Sequence, residues 1–453
     1  MTIDYFVAFE TDNITGKGRN NMNVCIIGCG NQGGCFAGLM SKEQDIGRIM
    51  LADMNINSAK NVRFLIERLG RKSQAKDISV DTVNALDADD VARVAKGADL
   101  VFNGILPFCN IPIMKGCLKA GAHYMDLYSL TVYNPETPYN ETIEAQLELD
   151  GEFKVAKLAA LTCEGVQPGW VNLAAKYIID QMDTVDSVII RGLTWVESND
   201  LIAQGPEKLQ IMLNLHLFPS SYIQDGKVVR MDSVDQGEEF EFPEPAGKKT
   251  VYIDSLTAVE RIIQMSTDKP IRLIMTKGAI LGGTSDIKET IFRAVREQAL
   301  KHPNTENINI VETLASSLKS MANMNFKEAL ENGRLIKGAE ASSVDVTGTR
   351  DGQKAHHIFY YLSSLHEAVK HIPWVGNSAY GTTGGMPIIT ALMLLRGEIT
   401  ERGVITPAQL GNPKYIFRKL EERGHFLCEK LELSSIVHKS FIRKRNPSQS
   451  LLL

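Results

Sequence analysis

At 453 residues the chain is long for one domain and predicts roughly two or three. With 44% hydrophobic and 23% charged residues a large core can form, and a net charge of −5 leaves no basic footprint for nucleic acid. Seven scattered cysteines without C-x-x-C spacing argue against a zinc site or disulfide framework and for cytoplasmic, reduced thiols, and no apolar run reaches the ~20 residues of a membrane span.

Residues 1–21 lack an apolar stretch beside a basic start and are read as an N-terminal extension rather than a signal peptide. The first strand, Asn23-Val24-Cys25-Ile26-Ile27, runs into Gly28-Cys29-Gly30-Asn31-Gln32-Gly33, a G-x-G-x-x-G turn, and then a helical segment. The first glycine permits the tight turn, the second lets a pyrophosphate approach the backbone, and the third lets helix and strand pack closely. The helix start offers N–H groups and partial positive charge to phosphates. A second strand, Arg48 to Asp53, ends in a carboxylate 20 residues after Gly33, the spacing at which an acid accepts ribose hydroxyls. Strand, turn, helix, strand and acid together predict a dinucleotide site.

Helix Ser58 to Gly70, strand Ile78 to Val83, a short helix after the capping candidate Asp87, and strand Asp99 to Ile105 follow. Next come helix Pro112 to Ala120 with Gly121 closing it, strand His123 to Leu127, an acidic helix around Thr142 to Leu158, and strand Ala159 to Cys163. This alternation predicts an α/β fold with a doubly wound parallel sheet, whose ligands sit at the carboxyl ends of its strands. On that rim fall Gly28, Gly30, Asn31, Gln32, Gly33, Asp53, Met54, Asp87, Asn103 and Gly104 as cofactor-binding candidates, with Asp126, Cys163 and Glu164 beside them. Pro168 is placed in the first turn of a helix Val171 to Met182.

From Val185 the texture changes to strands without regular intervening helices: Asp186 to Val196, Lys227 to Met231, Glu238 to Phe242, Thr250 to Ile253 and Arg272 to Thr276. Strands Val344 to Gly348 and His356 to Leu362 flank an Asp351-Gly352 hairpin turn, and Ser285 to His302 and Val311 to Gly333 supply helices. This is an α+β region over roughly 184–375. Gly381 to Pro387 opens an apolar helix to Leu395, and Gly403 to Pro407 begins a helical stretch to about Leu433 before a frayed basic tail.

These residues resemble the saccharopine dehydrogenase superfamily, which includes saccharopine reductases, carboxynorspermidine dehydrogenases and lysine 6-dehydrogenases. The resemblance runs from about residue 23 to 430. It rests on Gly28-Cys29-Gly30-Asn31-Gln32-Gly33, Asp99-Leu100-Val101-Phe102-Asn103, Gly121-Ala122-His123-Tyr124-Met125-Asp126-Leu127, Gly165-Val166-Gln167-Pro168-Gly169, Thr382-Thr383-Gly384-Gly385-Met386-Pro387 and Gly403-Val404-Ile405-Thr406-Pro407. It implies a Rossmann domain at 22–183, interrupted by a substrate-binding and dimerisation domain at 184–375 and completed by C-terminal helices at 376–435, with a tail at 436–453. It also implies reversible nicotinamide-dependent hydride transfer at a carbon–nitrogen bond, between an amine or amino acid and a keto acid or aldehyde, in a homodimer. Several members use the 2′-phosphorylated cofactor and carry small or basic residues where this chain has Asp53. Asp53 therefore predicts NAD rather than NADP.

Such chemistry needs one proton donor or acceptor at nitrogen. Asp126 is the first candidate, with a turn cap as the alternative role; Glu164 is the second, or else a charge partner for a helix start. Cys163 has no base beside it and reads as pocket lining or core. Trp170 is a candidate to stack on substrate or to pack in the core, and Arg191 and Arg350 are candidates to grip a substrate carboxylate. His356 and His357 are adjacent on a strand, face opposite ways and cannot chelate one metal. Two other readings fit the same motifs: a reductase of C=O or C=C, and a cofactor-binding module without turnover.

Overall fold

The structure is a computed structural model and describes residues 21–69, 77–129, 142–199, 202–203, 221–230, 237–253, 258–282, 319–320, 324–434 and 436–441. The expected extension up to residue 20, helix Ser285 to His302 and the tail beyond 441 lie outside the described residues, and the described part of the expected helix Val311 to Gly333 holds strand Lys319–Ser320 and a helix over Phe326–Glu331 alone. In chain order the strands are β1 Met22–Ile27, β2 Ile46–Asp53, β3 Asp77–Thr82, β4 Leu100–Asn103, β5 His123–Asp126 and β6 Ala159–Leu161. Then follow β7 Thr184–Ser198, β8 Ile202–Ala203, β9 Ser221–Gln224, β10 Lys227–Arg230, β11 Glu238–Phe242, β12 Gly247–Ile253, β13 Ile271–Gly282 and β14 Lys319–Ser320. The remaining ones are β15 Leu335–Arg350, β16 Gln353–Ser364, β17 Gly403–Ile405, β18 Phe426–Leu433 and β19 Ile436–Phe441.

The first sheet is parallel, in the order β17-β6-β5-β4-β1-β2-β3. Strands β1, β4 and β6 are buried on both faces, as a sheet covered by helices on either side requires, whereas the edge strand β3 alternates apolar and polar residues. In β1 the period of two is plain: Val24 and Ile26 enter one core cluster, Cys25 and Ile27 the other. The chain starts at the sheet's middle and winds both ways, so the turns after β1 and β4 flank the switch point where such sheets bind ligands.

The second sheet runs β10-β9-β13-β7-β15-β16-β18-β19, mostly antiparallel with β7 and β13 parallel. One face of β7, through Val188 and Ile190, joins the core around helix Val171–Ile179. The other, through Leu193 and Trp195, packs a smaller cluster beneath the β11–β12 hairpin. The Asp351-Gly352 turn is as expected, with φ of 52° and 71°, the left-handed pair that matches strand twist.

Three expectations need correction. The segment after Gly403 is not one helical stretch: β17 adds a seventh strand to the first sheet, helix Pro413–Glu422 follows, and β18 returns to the second sheet. Short β-branched runs bounded by Pro and Gly are ambiguous by periodicity, and here sheet edges settle the choice. The start of the tail is likewise a strand, β19, paired with β18. Pro168 is not in a helical turn; Gln167, Pro168 and Gly169 are non-helical, and the helix starts after them.

Candidate active site

The glycine turn has the geometry its spacing requires. Gly28 lies at φ +90°, and a Cβ at Gly33 would stand 1.8 Å from the Gly28 carbonyl oxygen, so helix and strand close only without one. Gly104 is packed as tightly: a Cβ there would meet the same oxygen at 2.9 Å. Over Gly30 nothing comes within 4 Å of a Cβ position. Gly30 is also the N-cap of helix Asn31–Met40 and has no side chain to bond its first-turn N–H groups. Open backbone above free N–H groups fits a dinucleotide pyrophosphate.

Asp53 ends β2 with its carboxylate turned to this loop: Oδ2 accepts from Cys29 N at 2.7 Å and Oδ1 from Asn55 N at 2.8 Å. Each oxygen keeps a lone pair for a ribose hydroxyl. Met54 beside it is 86% exposed on the rim, and Leu86 is exposed as well. Asp87 caps the helix Ala88–Val94, accepting from Asp89 N at 2.9 Å. Asn31 is exposed at the helix start, while the Gln32 side chain accepts from the Thr383 hydroxyl and ties helix Asn377–Thr383 to the glycine turn.

At the other half of the crevice the polar side chains form one buried network. Asn103 holds Ile105 N at 2.9 Å through Oδ1, while its Nδ2 donates to Asn110 Oδ1 (2.8 Å) and the Tyr124 hydroxyl (3.2 Å). Tyr124 donates to Asp126 Oδ2 at 2.9 Å, and Gln146 Nε2 to the same oxygen at 2.6 Å. Cys163 N donates to Asp126 Oδ1 at 2.7 Å. Burial pushes the Asp126 carboxyl up to about 6, and these donors, with the Tyr128 N–H, hold it there rather than higher. Asp126 thus ties the ends of β5 and β6 together.

Glu164 stands next to this network, its N–H donating to the Asp126 carbonyl at 2.9 Å. Its side chain is wholly buried, and neither oxygen takes a hydrogen bond within the usual distance from any described residue. The Thr390 hydroxyl, itself donating to Met386 O at 3.0 Å, is close enough only to temper the result. Burial, then the Asp126 charge, pushes the Glu164 carboxyl up to about 8, so it is a neutral acid at pH 7.

Cys163 between them has φ +62°, a left-handed conformation uncommon outside glycine, which swings the chain into the Gly165–Gly169 turn. Burial and the two carboxyls keep its thiol protonated well above the ordinary range, so it contributes through its backbone and not as a nucleophile. Two of the substrate candidates are placed elsewhere. Trp170 is completely buried between Phe359 and Tyr361, each with ring centroids 5.2 Å away, and belongs to the core. Arg191 points to the far face of the second sheet, paired with Glu238 at 2.8 Å and Asp345 at 3.0 Å, and is fully used there. His356 pairs with Asp345 at 2.7 Å, and among the described residues no group of His, Cys, Asp and Glu could hold a metal.

Sequence reading missed Gln146, Tyr124 and Asn110. Tyr124 had a usable signal, since residues i and i+2 of a strand share a face and Tyr124 precedes Asp126 by two. Gln146 and Asn110 become visible only when helices 143–147 and 110–120 dock at the rim.

Residues 24–161 match the family described as "Saccharopine dehydrogenase NADP binding domain". The chain is 29% identical over 417 residues to a carboxynorspermidine synthase of Vibrio cholerae, covering 86% of this chain and 93% of that one. It is 23% identical over 409 residues to a carboxyaminopropylagmatine dehydrogenase of Synechocystis, covering 88% and 96%. Among solved structures it matches the apo saccharopine dehydrogenase (L-Glu forming) of Saccharomyces cerevisiae at a TM-score of 0.61 with 13% identity, over 91% of this chain and all of that one, a likeness of fold. Among the described residues no helix is long and apolar enough to cross a membrane. Residues 24–161 thus match a nicotinamide-nucleotide-binding domain of the saccharopine dehydrogenase kind, and over most of its length the chain is similar to enzymes named as a synthase and a dehydrogenase, which supports an oxidoreductase acting on CH–NH bonds.

Proposed function

We propose that the protein joins an amine to a keto acid or aldehyde by reversible, NAD-dependent reduction of their imine to a secondary amine. The observation that carries this reading is Glu164, a buried acid without a hydrogen-bond partner among the described residues, at the rim of the cofactor crevice. The nicotinamide, when bound, supplies or accepts the hydride. The chain's own task is to place the C–N bond in a dry crevice and to serve its nitrogen with one proton. Glu164 keeps that proton at neutral pH, and Asp126, saturated with donors, acts as a positioning residue for the β5 and β6 termini. This reverses the order of the two carboxylates expected from sequence, because strand position alone does not reveal how many donors each meets.

NAD is the proposed cofactor, although the matching family is described by NADP. Asp53 would face a 2′-phosphate as an unpaired like charge, and Arg63 is engaged with Glu67 at 2.7 Å on its own helix. Two relatives are named for carboxylated polyamines, which supports an amine bearing more than one nitrogen as one partner. The test is a panel of amines against keto acids and aldehydes, read by absorbance of the reduced cofactor. Oxidation that requires both partners together supports imine reduction. Turnover with a carbonyl compound alone would refute it in favour of C=O chemistry.

A further inference from the structure

Thr383 is the last residue of helix Asn377–Thr383 and is completely buried. A buried threonine in a helix commonly turns its hydroxyl back on its own backbone, as Thr390 does by donating to Met386 O at 3.0 Å. The Thr383 hydroxyl instead leaves its helix and donates to Gln32 Oε1, 351 residues away in the chain. Its neighbour Thr382 touches the other half of the crevice, with Cγ2 3.3 Å from where a Gly165 Cβ would stand. The strands that lead into these two loops are β1 and β6, with β4 and β5 between them. The Thr382-Thr383 pair therefore bridges loops whose strands stand about 14 Å apart, three spacings of ~4.8 Å, and lies across the rim of the crevice.

Gln32 is the second residue of helix Asn31–Met40, whose N-cap is Gly30. Helical side chains tilt toward the N-terminus of their helix, which carries the Gln32 amide toward the open first turn. That side chain is half-buried, and among the described residues its Nε2 donates to no acceptor. An amide pinned by its oxygen presents its NH₂ group as the free end. Two N–H donors thus stand beside the uncapped backbone N–H groups of the helix start. A pyrophosphate offers charged acceptors there, and a hydrogen bond to a charged acceptor is the stronger kind. Turned the other way, the amide would set its carbonyl oxygen against the phosphate oxygens.

We infer that Thr383 is a positioning residue of the dinucleotide site: its hydroxyl holds the Gln32 amide with Nε2 toward the cofactor pyrophosphate, so a segment beyond β16 completes a site that begins at the glycine turn. The pyrophosphate is common to NAD and NADP. The assignment therefore holds whichever of them binds and whatever bond is reduced, and it can be tested without turnover.

Calorimetry on the purified protein would compare ADP-ribose, which carries the pyrophosphate, with adenosine, which lacks it. Gln32→Leu should weaken ADP-ribose binding about 10- to 100-fold, the loss of a charge-assisted hydrogen bond, and leave adenosine binding unchanged. Thr383→Val keeps the shape without the hydroxyl and should weaken ADP-ribose binding about 3- to 10-fold, the worth of one neutral hydrogen bond, again sparing adenosine. Thr383→Ser keeps the donor and should retain the original affinity. Because Thr383 acts through Gln32, the double variant should bind ADP-ribose no more weakly than Gln32→Leu alone. Gln32→Glu turns an anion toward the phosphates and should bind more weakly still, which keeps the assignment testable should Thr383→Val fail to fold. A loss of adenosine affinity equal to that of ADP-ribose would mark a general loosening and overturn the assignment. So would Thr383→Ser binding as weakly as Thr383→Val, losses that multiply in the double variant, or undiminished ADP-ribose binding in Gln32→Glu.

Discussion

Replacing Glu164 by Gln tests whether a neutral acid is buried beside Asp126. The unfolded chain releases this proton near the ordinary 4.5, whereas the folded protein keeps it until about 8. Between those values the folded state binds the extra proton, so this group's contribution to stability is full below 4.5 and is lost as pH rises to 8. The loss is 2.5 pH units at pH 7, about 3 kcal/mol, and 3.5 units above pH 8, about 5 kcal/mol, both ceilings because Asp126 titrates with it. Gln keeps the shape and does not titrate. Urea unfolding of both proteins at pH 5, 7 and 9 should show the variant gaining on the wild type by several kcal/mol across the series, while its turnover drops roughly 10²–10⁴-fold. Any constant effect of the substitution cancels in the comparison. A gap between the two proteins that stays the same from pH 5 to 9 would refute the buried acid.

Asp53→Ser should erode the preference for NAD over NADP, read as the ratio of kcat/KM for the two; tighter NADP binding in the unmodified protein would contradict the role given to Asp53. Asp126→Asn sets an amide NH₂ against N–H donors and should destabilise by about 2–4 kcal/mol while lowering activity, whereas loss of turnover with an unchanged melting point would return the acid–base role to Asp126. Gly33→Ala, with its Cβ 1.8 Å from a carbonyl oxygen, should abolish NAD binding and lower the melting temperature together, as calorimetry would show. Sedimentation at micromolar concentration should find at least a dimer of the 50.1 kDa chain; a 50 kDa species alone would refute the proposed assembly.

Local pattern made the glycine turn and the strand end beside it legible. Gly28, Gly30, Gly33 and Asp53 belong to one βαβ unit, where spacing in sequence is spacing in space. Seven of the ten strands described in the second sheet were readable from β-branched runs, β13 and β15 well short of their full length, whereas β9, β18 and β19 were not read as strands. What was hidden depends on docking between distant segments. Trp170 lies near a rim in sequence but sinks against β16, and Arg191 lies on a strand whose two faces have opposite fates. No residue near Gly403 signals that it will pair beside β6 across some 240 residues. Gln167 and Gly192 meet only because the turn after β6 lies against β7.

The two carboxylates show why the site's chemistry needs coordinates rather than a motif. Asp126 and Glu164 lie on adjacent strand ends and are both fully desolvated, which alone would raise each of them. Asp126 meets Tyr124, Gln146 and two backbone N–H groups, all donors that favour its anion, and it settles near 6. Glu164 meets no such set and feels the anion next door, and it settles near 8. At neutral pH one is therefore held mainly as an anion and the other keeps its proton, although both began as the same functional group. A site that must add a proton in one direction and remove it in the other needs such a separation. The donors around Asp126 create it, so Tyr124 and Gln146 help set the protonation state of Glu164.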